Sequence, residues 1–481
     1  MDSLFNDIIC IECGVALHEP SLQGDWLTCH ACGQRYPLIS GRIPVLMKDA
    51  PVYLASLYLQ HHRYLRRQEE RIAALKAAGN ESPERLEVLS LIAKGLDENN
   101  KVIESACNEL SGHISIADLV QAVNAPQFIG YTSIFEYLER DWCWLPAGEK
   151  ELSTIRDALF EQTDHYSPDD KNVLVLGAGT GRIAWDLLDR FERVYALDIS
   201  LTMAQCLHNV LNEGVTFRSV NTSSISRSMD MVKTRKARAV PPGSPGACDE
   251  QVRRRLAYLV GDACRAPFAE RSISVIVSAY FTDVMPLRQY FEEIRRVLKP
   301  RGLFLHFGPL EYHFDDISQH LSAEQVRQLF EENGFEVYAD EYTANKHLSS
   351  EGSMSRQAFD NWVFGAVLTQ EKRARPDFYL GEETVLRLAE DVQYLRSGLI
   401  SAEGESIADV QLLLCSGEHF REAKTLYGIL KMLDGRKSIK DILGLLFPTN
   451  SEFNKQDLSA ALAFLNRLAK EGALEVVGFD D

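Results

Sequence analysis

The sequence predicts an α/β protein: a parallel sheet wound with helices, with a cysteine-rich segment in front and a small helical domain behind. Three observations predict it. From about residue 166 to 370, short apolar runs alternate with helical patterns, as βαβ units require. Two Cys-x-x-Cys pairs stand within the first 48 residues. A pattern of helix, helix and short strand closes the chain, which suggests a winged-helix-like module in residues 371–481.

Bulk properties narrow the function. A chain of 481 residues exceeds one ordinary domain. The formal net charge of −18 argues against non-specific attraction to nucleic acid or to an anionic membrane. No run of about 18 uncharged apolar residues occurs, so no membrane span is expected. Met1 to Asp7 is acidic and lacks an apolar run, so no leader is expected either. Six of the ten cysteines (Cys107, Cys143, Cys206, Cys248, Cys264 and Cys415) are scattered without framework spacing. That pattern predicts a reducing compartment, the cytoplasm, with metal rather than disulfides.

The other four cysteines are Cys10-x2-Cys13 and, fifteen residues later, Cys29-x2-Cys32. Each pair forms a knuckle that offers two thiolates to one ion, and two knuckles close a tetrahedral zinc site. Four protein ligands make such a zinc structural. His18 and His30 are extra ligand candidates, and a redox pair is the alternative reading. Arg35 to Leu38 and Gly41 to Leu46 read as strands crossing back over this ribbon, residues 1–48. The stretch resembles the zinc-ribbon partner subunit of certain tRNA and protein methyltransferases, which implies a binding or scaffolding role.

Residues 51–165 read as helices, with breaks at Gly79-Asn80, Asn99-Asn100 and Pro126. Within the α/β stretch, 221–255 reads as an insertion: basic at Lys233, Arg235, Lys236 and Arg238, then Pro241-Pro242-Gly243-Ser244-Pro245-Gly246. It is expected to be a long or disordered loop, or else a lid. A charged linker, Gln370 to Pro376, precedes the last domain. There the helical pattern runs through Leu426, Leu430 and Leu433 and through Ile439, Ile442 and Leu446. A second helix spans Leu458 to Leu468, and a strand is expected at Ala473 to Val477.

The apolar run Asn172 to Leu176 ends at Gly177-Ala178-Gly179-Thr180-Gly181, and a helix follows. Glycines at a strand-to-helix turn let the backbone approach a ligand closely. The next strand, Arg193 to Leu197, ends at Asp198, where an acid can accept both ribose hydroxyls of a nucleoside. Tyr258 to Gly261 leads to Asp262-Ala263, placed to meet an adenine amino group. Ile273 to Ser278 is a fourth strand, and Leu303 to His306 a fifth, after the turn Lys299 to Gly302. This succession resembles the Class I (Rossmann-like) methyltransferases that use S-adenosyl-L-methionine (SAM). A dinucleotide site would want glycine where Arg182 stands. Arg182 is a candidate partner for the SAM carboxylate, or else a surface arginine in a first helical turn.

Two strand ends supply acceptor candidates: Asp283 after the fourth strand, and Tyr312 and His313 after the fifth. The structural alternative for each is a loop cap or a solvated group. The strings Gly177 to Trp185, Phe281-x-Asp283, Gly308-Pro309-Leu310-x-Tyr312-His313-Phe314, Arg140-Asp141-Trp142 and Pro241 to Ser244 are similar to those of the carnosine N-methyltransferase family. The resemblance covers about residues 130 to 368. It implies methylation of an imidazole nitrogen in a histidine-containing dipeptide, with Asp283 and His313 on the acceptor ring and Tyr312 beside them. Two departures stand out. Gln357 to Trp362 replaces a tyrosine-rich stretch of the family, and Glu311 replaces an apolar residue.

Leu426 to Ile439 and Leu462 to Leu468 resemble a PqqD-like fold, which implies a peptide or protein partner; plain winged-helix packing is the alternative. Two other functional readings stay open: a scaffold protein on a methyltransferase fold, and an N- or O-methyltransferase of a different small molecule or peptide.

Overall fold

The computed structural model describes residues 7–17, 25–79, 81–123, 134–165, 172–223, 225–242, 250–350 and 352–369, and in the last part 385–388, 393–401, 404–413, 419–422, 429–446, 465, 468 and 474–476. Expectations resting on His18, Pro126, Gly243 to Gly246, the linker, Leu426 and most of Leu458 to Leu468 lie outside these residues. The chain divides into two compact units, Met1–Gln370 and Glu371–Asp481.

Strands β1 (Trp26–Thr28), β2 (Arg35–Ile39) and β3 (Ile43–Leu46) come first. Helices α1 (Ala50–Lys76), α2 (Pro83–Asn108), α3 (Ile116–Ala122), α4 (Ile134–Trp142) and α5 (Pro146–His165) follow. The α/β part then runs β4 (Asn172–Leu176), α6 (Arg182–Asp186), β5 (Arg193–Asp198), α7 (Leu201–Asn212), β6 (Val215–Val220), β7 (Val232–Ala237), α8 (Glu250–Arg255), β8 (Leu256–Gly261) and β9 (Ile273–Ala279). It ends with α9 (Leu287–Val297), β10 (Leu298–Gly308), α10 (Ala323–Glu332), β11 (Phe335–His347) and β12 (Gln357–Leu368).

One ten-stranded sheet, in the order β1-β2-β3-β8-β5-β4-β9-β10-β12-β11, carries the first unit. The strands from β3 to β10 are parallel. Both faces of these strands are covered, so they are apolar throughout rather than alternating. Val173 and Val175 of β4 face one layer with Val194, Val275 and Leu305. Leu174 and Leu176 face the other with Leu197, Ile276 and Phe304. Helices α1, α4, α5 and α7 cover the first layer, and α9, α10 and the cysteine segment the second. That segment extends the main sheet: Val45 pairs with Val260 of β8, and Ile8 bridges Phe268.

Two expectations are corrected. Helix α2 runs through Asn99-Asn100 without a break, and both asparagines are buried. Asn99 points at β6, where its carboxamide takes the Arg218 N–H and donates to the Arg218 carbonyl, both at 2.8 Å. The amide thus completes a strand edge instead of competing with its own helix. The insertion is not simply a loop. Val232–Ala237 pairs antiparallel with β6 from Val215↔Ala237 to Val220↔Val232. Within it, Arg235 pairs with Glu139 of α4 at 2.9 Å and Lys233 with the local Asp230, while Arg218 of β6 pairs with Glu98 of α2.

In the second unit, β13 (Val385–Leu388), β14 (Gln393–Ser401), β15 (Gly404–Leu413), β16 (His419–Glu422), β17 (Asp434–Ser438), α11 (Ile439–Leu446) and β18 (Leu474–Val476) are described. They form the sheets β17-β13-β18 and β14-β15-β16. The expected helix through Leu433 to Leu446 is interrupted. Gly435 takes φ +73° and Asp434 accepts the Arg436 N–H, which turns the chain into β17. The Ser438 hydroxyl then caps α11.

Replacing Asn99 with leucine is expected to destabilise the protein by about 1–2 kcal/mol, because two half-buried backbone groups of β6 lose their partners. A lower denaturation midpoint and faster proteolysis of the 215–237 hairpin, compared with the parent chain, check this.

Candidate active site

The order β5-β4-β9 places a topological switch at the carboxyl ends of β4 and β9, where parallel α/β sheets bind ligands. The Gly-rich turn leaves β4 there. Gly177 has φ +60°, and a Cβ on it would lie 2.3 Å from the Phe281 ring. Gly179, at φ +54°, has nothing within 4 Å of where a Cβ would stand, so its outer side is open.

Around this opening the backbone is held by side chains. One oxygen of Asp198 accepts the Gly179 N–H at 2.7 Å, and the other accepts the Ser200 N–H at 2.8 Å. Burial raises the Asp198 pKa, and these N–H groups partly offset the rise. Tyr258 donates to the Gly179 carbonyl at 2.5 Å. Tyr53, from α1, donates to the Ile199 carbonyl at 2.6 Å and accepts the Leu201 N–H. Asp262 stands two residues past the β8 position that pairs with Asp198, and it accepts the Cys264 N–H at 2.9 Å. The half-buried Ala263 begins the short turn Ala263–Arg265. The structure thus brings Gly177, Gly179, Gly181, Asp198, Asp262 and Ala263 to neighbouring strand ends.

Arg182 departs from expectation. It is 2% exposed and therefore not a surface arginine. Its guanidinium forms a fork with Glu149 at 3.0 and 3.1 Å, bonds Asp186 at 2.9 Å and donates to the Asp141 carbonyl. The face of the group lies over Trp144. With these partners it braces the turn from behind instead of presenting a free fork to a carboxylate. Asp141 takes part in the same brace: it accepts from Arg140 at 2.5 Å and from the Thr180 hydroxyl, while Trp142 donates to the Thr180 carbonyl at 3.1 Å.

At the end of β9 the chain turns sharply, with Tyr280 at φ +53°. Asp283 follows and is 3% exposed. Its carbonyl accepts the His313 N–H at 2.9 Å, which joins the two strand ends. Burial lifts the Asp283 pKa to about 6, against the opposing pull of its own backbone N–H and of the nearby His313. The His313 residue is exposed. Tyr312 donates its hydroxyl to the Leu321 carbonyl at 2.6 Å and stacks on His320 at 4.8 Å, so its phenol supports the loop.

A buried relay absent from the sequence reading fixes Thr282. The Gly308 carbonyl can only accept, so His306 Nε2 carries the proton toward it at 3.1 Å. His306 Nδ1 then accepts from Thr282 at 3.0 Å, and Thr282 accepts from Ser278 at 2.7 Å. Burial lowers the His306 pKa to about 4, which keeps the ring neutral. Tyr53 and Tyr258 also escaped the sequence reading; no local motif marks a hydroxyl that acts across the fold.

The four cysteines converge. Cys10 and Cys32 sulfurs are 3.6 Å apart and those of Cys13 and Cys29 are 3.5 Å apart, with all four inside 4.8 Å. This donor set could hold a metal ion. The exposed His30 is not part of it.

Comparison with known proteins gives consistent matches. The sequence profile of a family described as carnosine N-methyltransferase matches residues 118–370. The carnosine N-methyltransferase of Mus musculus is 25% identical over 239 residues, covering 46% of this chain and 56% of the mouse protein. That of Dictyostelium discoideum is 24% identical over 251 residues, covering 48% and 50%. That of Schizosaccharomyces pombe is 23% identical over 304 residues, covering 56% and 79%. The chain thus spans about half the length of the mouse and slime-mould relatives. Among solved structures, a SAM-dependent methyltransferase of Methanosarcina mazei (14% identity, TM-score 0.29) covers 43% of this chain and 97% of its own. The YcgJ protein of Bacillus subtilis (13%, TM-score 0.30) covers 45% and 99%.

The brace is directly testable. Arg182→Met leaves buried Asp186 and half-buried Glu149 without their cation, so a loss of about 3 kcal/mol is expected with no ligand present. An unchanged melting temperature in the ligand-free protein contradicts a structural role for this guanidinium.

Proposed function

This chain belongs to the carnosine N-methyltransferase family, and from that membership we propose that it methylates an imidazole nitrogen of a histidine-containing dipeptide or peptide, with S-adenosyl-L-methionine as donor. The single observation that carries the reading is Asp283: a buried carboxylate at the end of the strand beside β4, joined to His313.

The cradle suits the donor. The open side of Gly179 leaves room for a ligand, and Asp198 and Asp262 each keep acceptor capacity beyond their backbone bonds. Asp198 would take the ribose hydroxyls, and Asp262 with Ala263 the adenine. When bound, SAM supplies an electrophilic methyl group on a sulfonium. The chain's own work is to orient the acceptor. Neutral imidazole has one N–H and one lone-pair nitrogen. Asp283 accepts the N–H, fixes the tautomer and leaves the other nitrogen toward the donor side. Positioning of this kind needs no strong base, since an imidazole with a pKa near ~6.5 is largely neutral at pH 7. His313, at the open side, helps seat the ring or carries off its proton. A peptide acceptor, recruited through residues 371–481, is the variant that their resemblance to a PqqD-like fold supports.

We also assign structural zinc to Cys10, Cys13, Cys29 and Cys32. Thiolates about 2.3 Å from a tetrahedral ion stand roughly 3.8 Å apart, close to the separations found here. The buried Tyr36 hydroxyl lies 3.1 Å from the Cys10 sulfur and can donate to a thiolate there.

Asp283→Asn is expected to lower kcat/KM for an imidazole acceptor on the order of 10²-fold. SAM affinity by calorimetry should stay within about threefold; equal loss of both contradicts the assigned role, and no SAM binding by the parent chain favours a scaffold. The pH profile adds a second check. The active form of Asp283 is the carboxylate, present above about 6 and lost as pH falls through that value. The acceptor imidazole protonates near ~6.5 as well, so the acid limb of kcat/KM should reflect two protons in the parent and one in the residual activity of Asp283→Asn. For the metal, atomic absorption should find one zinc per chain, and Cys10→Ser should lose it and melt earlier. A metal-free, equally stable parent protein contradicts the zinc assignment.

A further inference from the structure

A second polar cluster lies beside Asp283, and the methyl transfer proposed above makes no use of it. Glu151 of α5 is 1% exposed. One of its oxygens bonds Arg140 at 3.1 Å and lies 3.3 Å from His347 Nδ1, while the other has no hydrogen-bond partner. Asn361 of β12 is fully buried. Its amide N–H groups reach the Thr343 and Phe359 carbonyls at 3.4 Å, and its oxygen has no partner. The Tyr280 hydroxyl stands beside the Asn361 carboxamide without forming a hydrogen bond of good geometry. Buried polar atoms in folded proteins nearly always find a partner, so two pure acceptors in one neighbourhood, the Glu151 and Asn361 oxygens, point to a missing donor.

Charge and shape say what kind of donor. Asp141, Glu151 and Asp283 are buried here; the largely covered Arg140 pairs with the first two, and the buried Arg182 spends its charge on Glu149 and Asp186, which leaves Asp283 without a cation of its own. Glu311 is exposed next to His313, and its charge acts on Asp283. The wall is aromatic: Tyr280 and His347 rings are 4.9 Å apart, and His347 and Phe359 rings 5.4 Å. Surplus negative charge, acceptor oxygens and ring faces together suit an ammonium group, which has three N–H donors and no acceptor.

We propose that Glu151 and Asn361, against the Tyr280 ring, bind a primary ammonium group on the acceptor while Asp283 holds its imidazole. This rests on the imidazole reading and adds a charge requirement to it: the substrate class is amine-bearing imidazole compounds, and an amine-blocked imidazole is a poor acceptor. Tyr280 stands three residues before Asp283 in the same turn, so both anchors belong to one binding site.

The test compares carnosine with its N-acetylated form, which keeps the imidazole and loses the ammonium charge. The full chain is expected to prefer the free amine at least tenfold in kcat/KM, mostly through KM. Glu151→Gln should shrink that preference to about threefold or less. Asn361→Leu, which leaves the Arg140 ion pair alone, should shrink it too, so a misfolded first variant does not remove the test. Equal turnover of both compounds by the parent chain overturns the proposal and leaves imidazole methylation standing; water then fills the cluster. Variants that lower both compounds equally also overturn it. Methylation of neither compound, with SAM bound, overturns the imidazole reading and this inference with it.

Discussion

The site depends on one run of buried charge contacts. It begins at Arg182 behind the Gly-rich turn, passes through the backbone and carboxylate of Asp141 to Arg140, and ends at Glu151, which lies 3.3 Å from His347 on β11. Each member is expensive to bury alone and acceptable only with its partner in place. The run therefore fixes α4 and α5 against both ends of the crevice at once. The Gly-rich turn and the wall beside Asp283 are parts of one network, although more than 160 residues separate Arg182 from His347 in the chain.

Additions to the sheet work on the same crevice. The cysteine segment contributes β3 to the sheet edge, pairs with β8, and covers the layer below Asp262 through Ile8 and Phe268. Helix α1 sends Tyr53 to the loop after β5. The β6–β7 hairpin packs on α2 and α4, so it also steadies the helix that carries Arg140 and Asp141. In the family reading, these parts adjust a common core by holding its loops, and no further chemistry is asked of them.

Much of the core was legible because its signals are local. A strand ending in Gly-x-Gly-x-Gly, an acid at the next strand end and paired Cys-x-x-Cys knuckles each sit within a few residues, and the structure brings them together. What escaped the sequence was long-range. Asn99-Asn100 reads as a helix breaker, yet Asn99 completes β6 more than a hundred residues later. Lysines and arginines at 233–238 read as a solvated loop, because the pairing of Val232–Ala237 with β6 and the acid that holds Arg235, Glu139 on α4, are not visible locally. Arg182 showed its position and only its local partner, Asp186 one helical turn on, since Glu149 and the Asp141 carbonyl reach it only once α4 and α5 pack on α6. Asp283 and His313 could be read from their strand ends; Tyr280, Glu151 and Asn361 could not, as three separate elements bring them together.

The central claim concerns where one methyl group goes. Full-length chain incubated with methyl-labelled SAM and carnosine, with the product resolved by mass spectrometry and NMR, tests it most directly. The label should appear on a ring nitrogen of the imidazole. Label on the amine or the carboxylate, or no transfer by protein that binds SAM, contradicts the account.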